Sequence, residues 1–129
     1  MRILAIAVSG MTAARQRLTV AAENTVHMLD RGPPDQVFRA RMVTTKATAG
    51  GGVSVAINER RPAVLPVPNP DSTGGVSLFA PNVDPVVEAV EMIRARTAFA
   101  AAARLVSVES ERSHRLLDIL DTEDGGHRG

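Results

Sequence analysis

From Asn82 to Leu120 the chain carries apolar residues at helical spacing, with no Gly and no Pro after Pro85. Two stripes run along this stretch. One is Val86, Val90, Ile93, Thr97 and Ala100; the other passes through Ala89, Met92, Arg96, Phe99, Ala103, Val106, Ser110, Ser113, Leu117 and Leu120. At ~100° per residue they lie more than about 100° apart. A helix on the skin of a small globule needs one such stripe, so two predict contact with more than one neighbour. Asp84 fits an N-cap and Pro85 the first helical position, where a missing N–H costs nothing. Glu88 and Glu91 near the start, and Arg112 and Arg115 near the end, complement the helix dipole. The predicted helix is about 36 residues and roughly 54 Å long.

A second periodic stretch opens the chain. Leu4, Met11, Leu18 and Thr25 recur every seven residues, with Ala7/Val8, Ala14 and Ala21/Ala22 between them. This predicts a helix over Ile3–Leu29 with a coiled-coil-like seam. A cleaved secretory leader is the rival reading. Ile3–Val8 falls short of the ~7–15 apolar residues a leader needs, and no good Ala-x-Ala site follows. The seam also continues through Arg15 and Arg17, so the expectation is an uncleaved helix.

Between the helices the period changes. Asp30-Arg31-Gly32-Pro33-Pro34-Asp35 breaks the first helix. Phe38, Ala40 and Met42 alternate with Arg39, Arg41 and Val43 as a strand, and Gly50-Gly51-Gly52 reads as a turn. Val53, Val55 and Ile57 alternate with Ser54, Ala56 and Asn58, the clearest strand signal in the chain. Ala63–Val67 suits an edge strand because of Pro62, Pro66 and Pro68. A loop over Asn69–Gly75 and a last strand over Val76–Phe79 complete the middle.

The architecture expected is α+β. Two long terminal helices form a coiled-coil-like antiparallel hairpin, with a small β-rich insert between them. The expected bounds are 1–29 for the first helix, 30–84 for the insert, 85–121 for the second helix and 122–129 for a flexible tail. The second helix is the longer, so Leu116, Leu117, Ile119 and Leu120 overhang their partner and need another surface to cover them.

Composition narrows the function classes. The net charge is +1, so no long-range field favours nucleic acid. Only three residues are aromatic, Phe38, Phe79 and Phe99, and the apolar mass is small and aliphatic, which suits close helix packing. No apolar run is long enough to span a membrane. There is no Cys, hence no disulfide and no thiolate metal site.

Candidate chemistry is thin. His27, His114 and His127 lack a ligand set at metal spacing; His114 has only Asp118 at i+4. Gly50-Gly51-Gly52 lacks the Lys-Ser/Thr of a phosphate loop. Glu88 and Glu91 resemble an acid/base pair but are expected to face solvent near a helix start. Ser9, Ser110 and Ser113 have no His and acid around them. Arg39, Arg41 and Arg60-Arg61 lack interleaved aromatics and read as solvated strand edges. No catalytic, metal or cofactor site is expected, and the chain is read as no enzyme.

Pro81-Asn82-Val83-Asp84-Pro85-Val86-Val87-Glu88-Ala89-Val90-Glu91-Met92-Ile93 is similar to the "PNVDPVEEMVNMI" of the flagellar basal-body rod proteins. The close, Leu116-Leu117-Asp118-Ile119, resembles that family's "TLDI"-type ending. Ser9-Gly10-Met11, Arg17 to Ala22 and Asn24 follow its "SGL…RLxVxAxN" pattern, and Phe38-Arg39-Ala40-Arg41 looks like its "YRAK". The likeness runs over almost the whole chain and is nearest to the short proximal-rod members of the C type. Two places depart. A second Asn of the family pattern is His27 here, and "SRxYxAN" is Arg96-Thr97-Ala98-Phe99-Ala100-Ala101-Ala102.

The resemblance implies a structural subunit that polymerises into the proximal rod and transmits torque. Such a subunit is exported through the flagellar type III apparatus without a cleaved signal peptide and sits in the periplasmic rod of the basal body. Its partners are itself and other rod proteins. Subunit contacts are then expected at Leu4, Met11, Leu18 and Asn24 on the first helix, and at Val90, Ile93, Phe99, Val106, Leu117 and Leu120 on the second. The alternative is a divergent paralogue acting as a helical binding or chaperone-like module, which the changed polar positions motivate.

Overall fold

The computed structural model describes residues 2–71 and 78–125. Helix α1 spans Arg2–Val26, strands β1 and β2 span Arg41–Ala47 and Val53–Glu59, β3 and β4 span Val64–Val67 and Leu78–Pro81, and helix α2 spans Pro85–Gly125. The class is α+β, as the periodicities indicate. The strands form two antiparallel pairs, β1 with β2 and β3 with β4.

The two helices pack side by side. Asn24 of α1 meets Glu88 of α2, whereas Gly10 faces Ala102. Falling numbers on one helix match rising numbers on the other, so they run antiparallel. Carried onward at the same rise per residue, this offset brings Arg2 level with about Ser110. Everything on α2 beyond that point projects past the first helix.

Small residues make the seam. Ala7, Ala14 and Ala21 are buried, and on a helical wheel they fall beside Gly10, toward α2. Leu4, Met11 and Leu18, the expected seam, lie half-buried at its flank. The reason is crowding: α1 is covered on two sides. The β1–β2 hairpin lies along its other side, where Ala13 and Val20 are buried. Its tip rests on the first turns of α1, with the Val53 N–H donating to Ser9 Oγ at 3.2 Å and Arg2 Nε to the Gly50 carbonyl at 3.3 Å. Gly52 has φ +88° there, and a Cβ on it would meet Ser9 Oγ at 2.6 Å. Glycine is therefore required at that point for both backbone and space.

Several boundaries differ from the sequence reading. The first strand begins at Arg41, not Phe38. Ala40 is instead tied to the loop before β3, its N–H donating to the Ala63 carbonyl at 3.1 Å and its carbonyl accepting from Arg60 at 2.8 Å. The first helix stops at Val26 rather than Leu29, because the chain closes a turn in which the Asp30 N–H donates to the His27 carbonyl at 3.0 Å. The second helix passes Leu120 and ends at Gly125, so the start of the expected tail is helical. No breaker precedes Gly125, and Thr122 Oγ1 bonds the Asp118 carbonyl one turn back at 2.7 Å. The expected loop over Asn69–Gly75 and strand over Val76–Phe79 fall partly outside the described residues; within them, β4 begins at Leu78.

Candidate assembly surface

The Asn82–Asp84 stretch anchors α2 to the β insert. Asn82 donates from its backbone to the Ala63 carbonyl at 3.0 Å and from Nδ2 to the Pro62 carbonyl at 2.8 Å, while its own carbonyl accepts from Arg60 Nη1 at 2.8 Å. Asp84 is the N-cap, its Oδ1 accepting from the Val86 N–H at 2.9 Å and the Val87 N–H at 3.4 Å. Two of the orphan amides of the first turn are thereby satisfied.

One turn further on, the structure corrects the sequence reading of Glu88. It does not face solvent: its side chain is 1% exposed and ion-paired to Arg60. Asn24 Nδ2 also donates to Glu88 Oε1 at 3.4 Å. Asn24 is 0% exposed, and it bonds Arg41 twice, Nδ2 to the carbonyl at 2.8 Å and Oδ1 from the N–H at 3.0 Å. Expected at a subunit contact, Asn24 is thus enclosed within its own chain, with its side-chain amide bonded to the backbone of β1. Arg41 reaches back to Glu23 of α1, so it is not a free strand edge either. Sequence reasoning missed this junction of α1, β1, the β2–β3 loop and α2. Charge spacing gave no sign of it, because Asn24, Arg60 and Glu88 meet only in three dimensions.

The rest of α2 faces two ways. Its α1 side carries Glu88, Met92, Ala95, Ala102 and Val106, all buried or half-buried, with Phe99 on the rim at 40% exposure. Ala89 and Arg96, expected in this stripe, are exposed. The heptad steps Glu88, Ala95, Ala102 and Glu109 lie nearer the middle of the contact. The opposite stripe is uncovered, with Val86 70% and Ile93 65% exposed; Val90 is open as well.

Beyond the reach of α1 the inward face passes through Glu109 and Ser113 and then turns apolar again. Leu120 lies in line with Ala95 and Ala102 on the helical wheel, with Leu116 and Leu117 flanking it on either side, yet Leu117 is 58% and Leu120 61% exposed. Each aliphatic side chain left in water forgoes about 1.5–3 kcal/mol of burial. Of the expected contact residues, then, Val90, Ile93, Phe99, Leu117 and Leu120 are available to a partner, Leu4, Met11, Leu18 and Val106 are half-covered by their own chain, and Asn24 is enclosed.

Among the described residues there is no cluster of three metal-type side chains, and no helix is long and apolar enough to cross a membrane. The His27 ring stacks on Phe38, with centroids 4.2 Å apart, and its Nδ1 lies 2.8 Å from Asp30 Oδ2. These contacts close the end of α1.

Residues 77–119 match the family model described as flagellar basal body rod FlgEFG protein C-terminal. The matched stretch takes in β4 and α2 as far as Ile119, including the Asn82–Glu88 anchor and most of the uncovered helix end. The match covers a third of the chain and supports a structural role in the flagellar basal body. No curated protein matches the chain.

Proposed function

We propose that this chain is a structural subunit of the proximal rod of the flagellar basal body, of the C type. It polymerises through its helices and, as part of the rod, transmits torque. It travels through the type III export apparatus without cleavage of its first helix and assembles in the periplasm with itself and other rod proteins. The observation that carries this reading is the exposed continuation of the helix seam at Leu116, Leu117 and Leu120, within or next to a stretch that matches rod proteins. An apolar face that repeats on each copy, with no intramolecular partner, favours heterologous contacts that propagate rather than close. The heptad steps on both helices support coiled-coil-like packing of the kind a rod core uses.

The test replaces Leu117 by Asp and, as a control, the exposed Ser107 by Ala. A carboxylate in an apolar interface costs several kcal/mol without a partner charge. Leu117→Asp protein is expected to be made and exported but to leave rods incomplete and cells non-motile, whereas Ser107→Ala behaves as wild type. Normal basal bodies built from Leu117→Asp protein transfer the weight to the helical binding or chaperone-like module.

A further inference from the structure

At the end of the molecule where α2 begins, a groove of about 450 Å³ opens between α1, the β1–β2 hairpin and the first turns of α2. Val20, Met42, Val43 and Val87 give it apolar walls, and Arg17, Arg41, Arg60 and Arg61 are among the residues that line it. Two of these are already matched: Arg60 by Glu88 and Arg41 by Glu23. Arg17 spends one N–H on Thr45 Oγ1 at 3.1 Å, and neither Arg17 nor Arg61 has a carboxylate partner among the described residues. Glu91 lines the groove as well and, with Glu88 already paired to Arg60, is its unmatched opposing charge among the described residues.

The far end of α2 has the complementary character. Ile119, Leu116, Leu120 and Leu117 span an apolar arc of roughly 160°, and Asp121 and Asp118 follow it directly around the helix. All are exposed, and neither Asp has an ion-pair partner among the described residues. Helix α2 is 41 residues long, about 60 Å from end to end. Its tip therefore has no access to the groove at its own base.

We propose that the tip of α2 of one copy docks in the basic groove of a second copy, Leu117 and Leu120 against the apolar walls and Asp118 and Asp121 toward Arg17 and Arg61. This rests on the rod-subunit reading for the choice of a second copy as occupant. The contact joins opposite ends of the molecule, so it is head-to-tail and extends along one axis without closing. Apolar burial supplies affinity, and the charges fix which end meets which.

The cleanest test uses the absence of Cys. Full-length protein carrying Leu120→Cys is mixed with protein carrying Val43→Cys and oxidised at high concentration. A disulfide between the two copies is expected, well above that formed between Leu120→Cys and Ser107→Cys copies. Equal yields overturn the contact.

Charge exchange gives an independent reading. Asp118→Lys/Asp121→Lys and Arg17→Asp/Arg61→Asp are each expected to weaken self-association by about 100-fold in sedimentation, with helical circular dichroism retained. Mixed together, the two variants place opposite charges at every tip and groove and are expected to reassociate as alternating copies. Failure of the mixture to reassociate, when both variants remain helical, counts against the docking. Rising salt weakens the wild-type association in the same assay; indifference to salt counts against the charge pairing. The rod reading is judged separately, by whether the protein is present in basal bodies isolated from cells. Its absence there sinks that reading, while the disulfide and the charge exchange still decide the contact between purified copies.

Discussion

Arg60, the first residue after strand β2, forms an ion pair with Glu88, one turn into the long helix and 1% exposed. The pair spans 28 residues of sequence and fixes the insert to the base of α2. Arg60 remains 21% exposed, so one side of the pair still touches solvent.

Removing the carboxylate leaves the mostly buried guanidinium without its ion-pair partner. Glu88→Ala is expected to destabilise the chain by about 3 kcal/mol, read from urea unfolding. Glu88→Gln keeps a hydrogen-bond acceptor and is expected to cost less. Equal stability of Glu88→Ala and wild type would contradict the junction.

Asn24 presents a donor and an acceptor to the backbone of Arg41, as a neighbouring strand does. Asn24→Leu removes both and leaves the part-buried N–H and carbonyl of Arg41 without this partner. The expected loss is about 2–3 kcal/mol, with faster amide hydrogen exchange concentrated in β1. Exchange raised evenly over the whole chain points to general loosening instead.

Gly10 sits where the helices come close, and a Cβ there would lie 3.8 Å from the Ala102 Cβ, an ordinary contact. Gly10→Ala is therefore expected to stabilise by up to about 1 kcal/mol, because Gly costs a helix interior that much. Gly10→Leu overfills the same gap and is expected to destabilise by about 1–3 kcal/mol. Thermal unfolding of the two variants should move in opposite directions.

At the hairpin tip the outcome differs in sign. Gly52 combines a positive φ with no room for a Cβ, which would come within 2.6 Å of Ser9 Oγ. Gly52→Ala is expected to cost at least about 1–2 kcal/mol and to release the tip from α1. The measurement is the exchange rate of the Val53 amide, which now donates to Ser9.

Much of this fold was legible in the chain. Alternation at Val53–Asn58 gave β2, and the unbroken helical period after Pro85 gave α2, because both signals are local and repeat many times. Asp84 was readable as a cap since a cap acts on its own next turn. The overhang followed from the unequal lengths of the two helices. Sequence could not decide which stripe of α2 the first helix would cover, since both are apolar and the choice depends on where the insert delivers the chain. It misplaced Glu88 for a related reason: a carboxylate near a helix start is at home in water, and only Arg60, brought in by the turn after β2, makes its burial favourable. Asn24 likewise has no local signature, being defined by the strand that lies beside it. The periodic pattern alone determined which elements form and their order, but not where each one ends. Tertiary structure decided the pairing of isolated polar groups, because a buried charge or amide is stable only beside a partner that sequence spacing does not reveal.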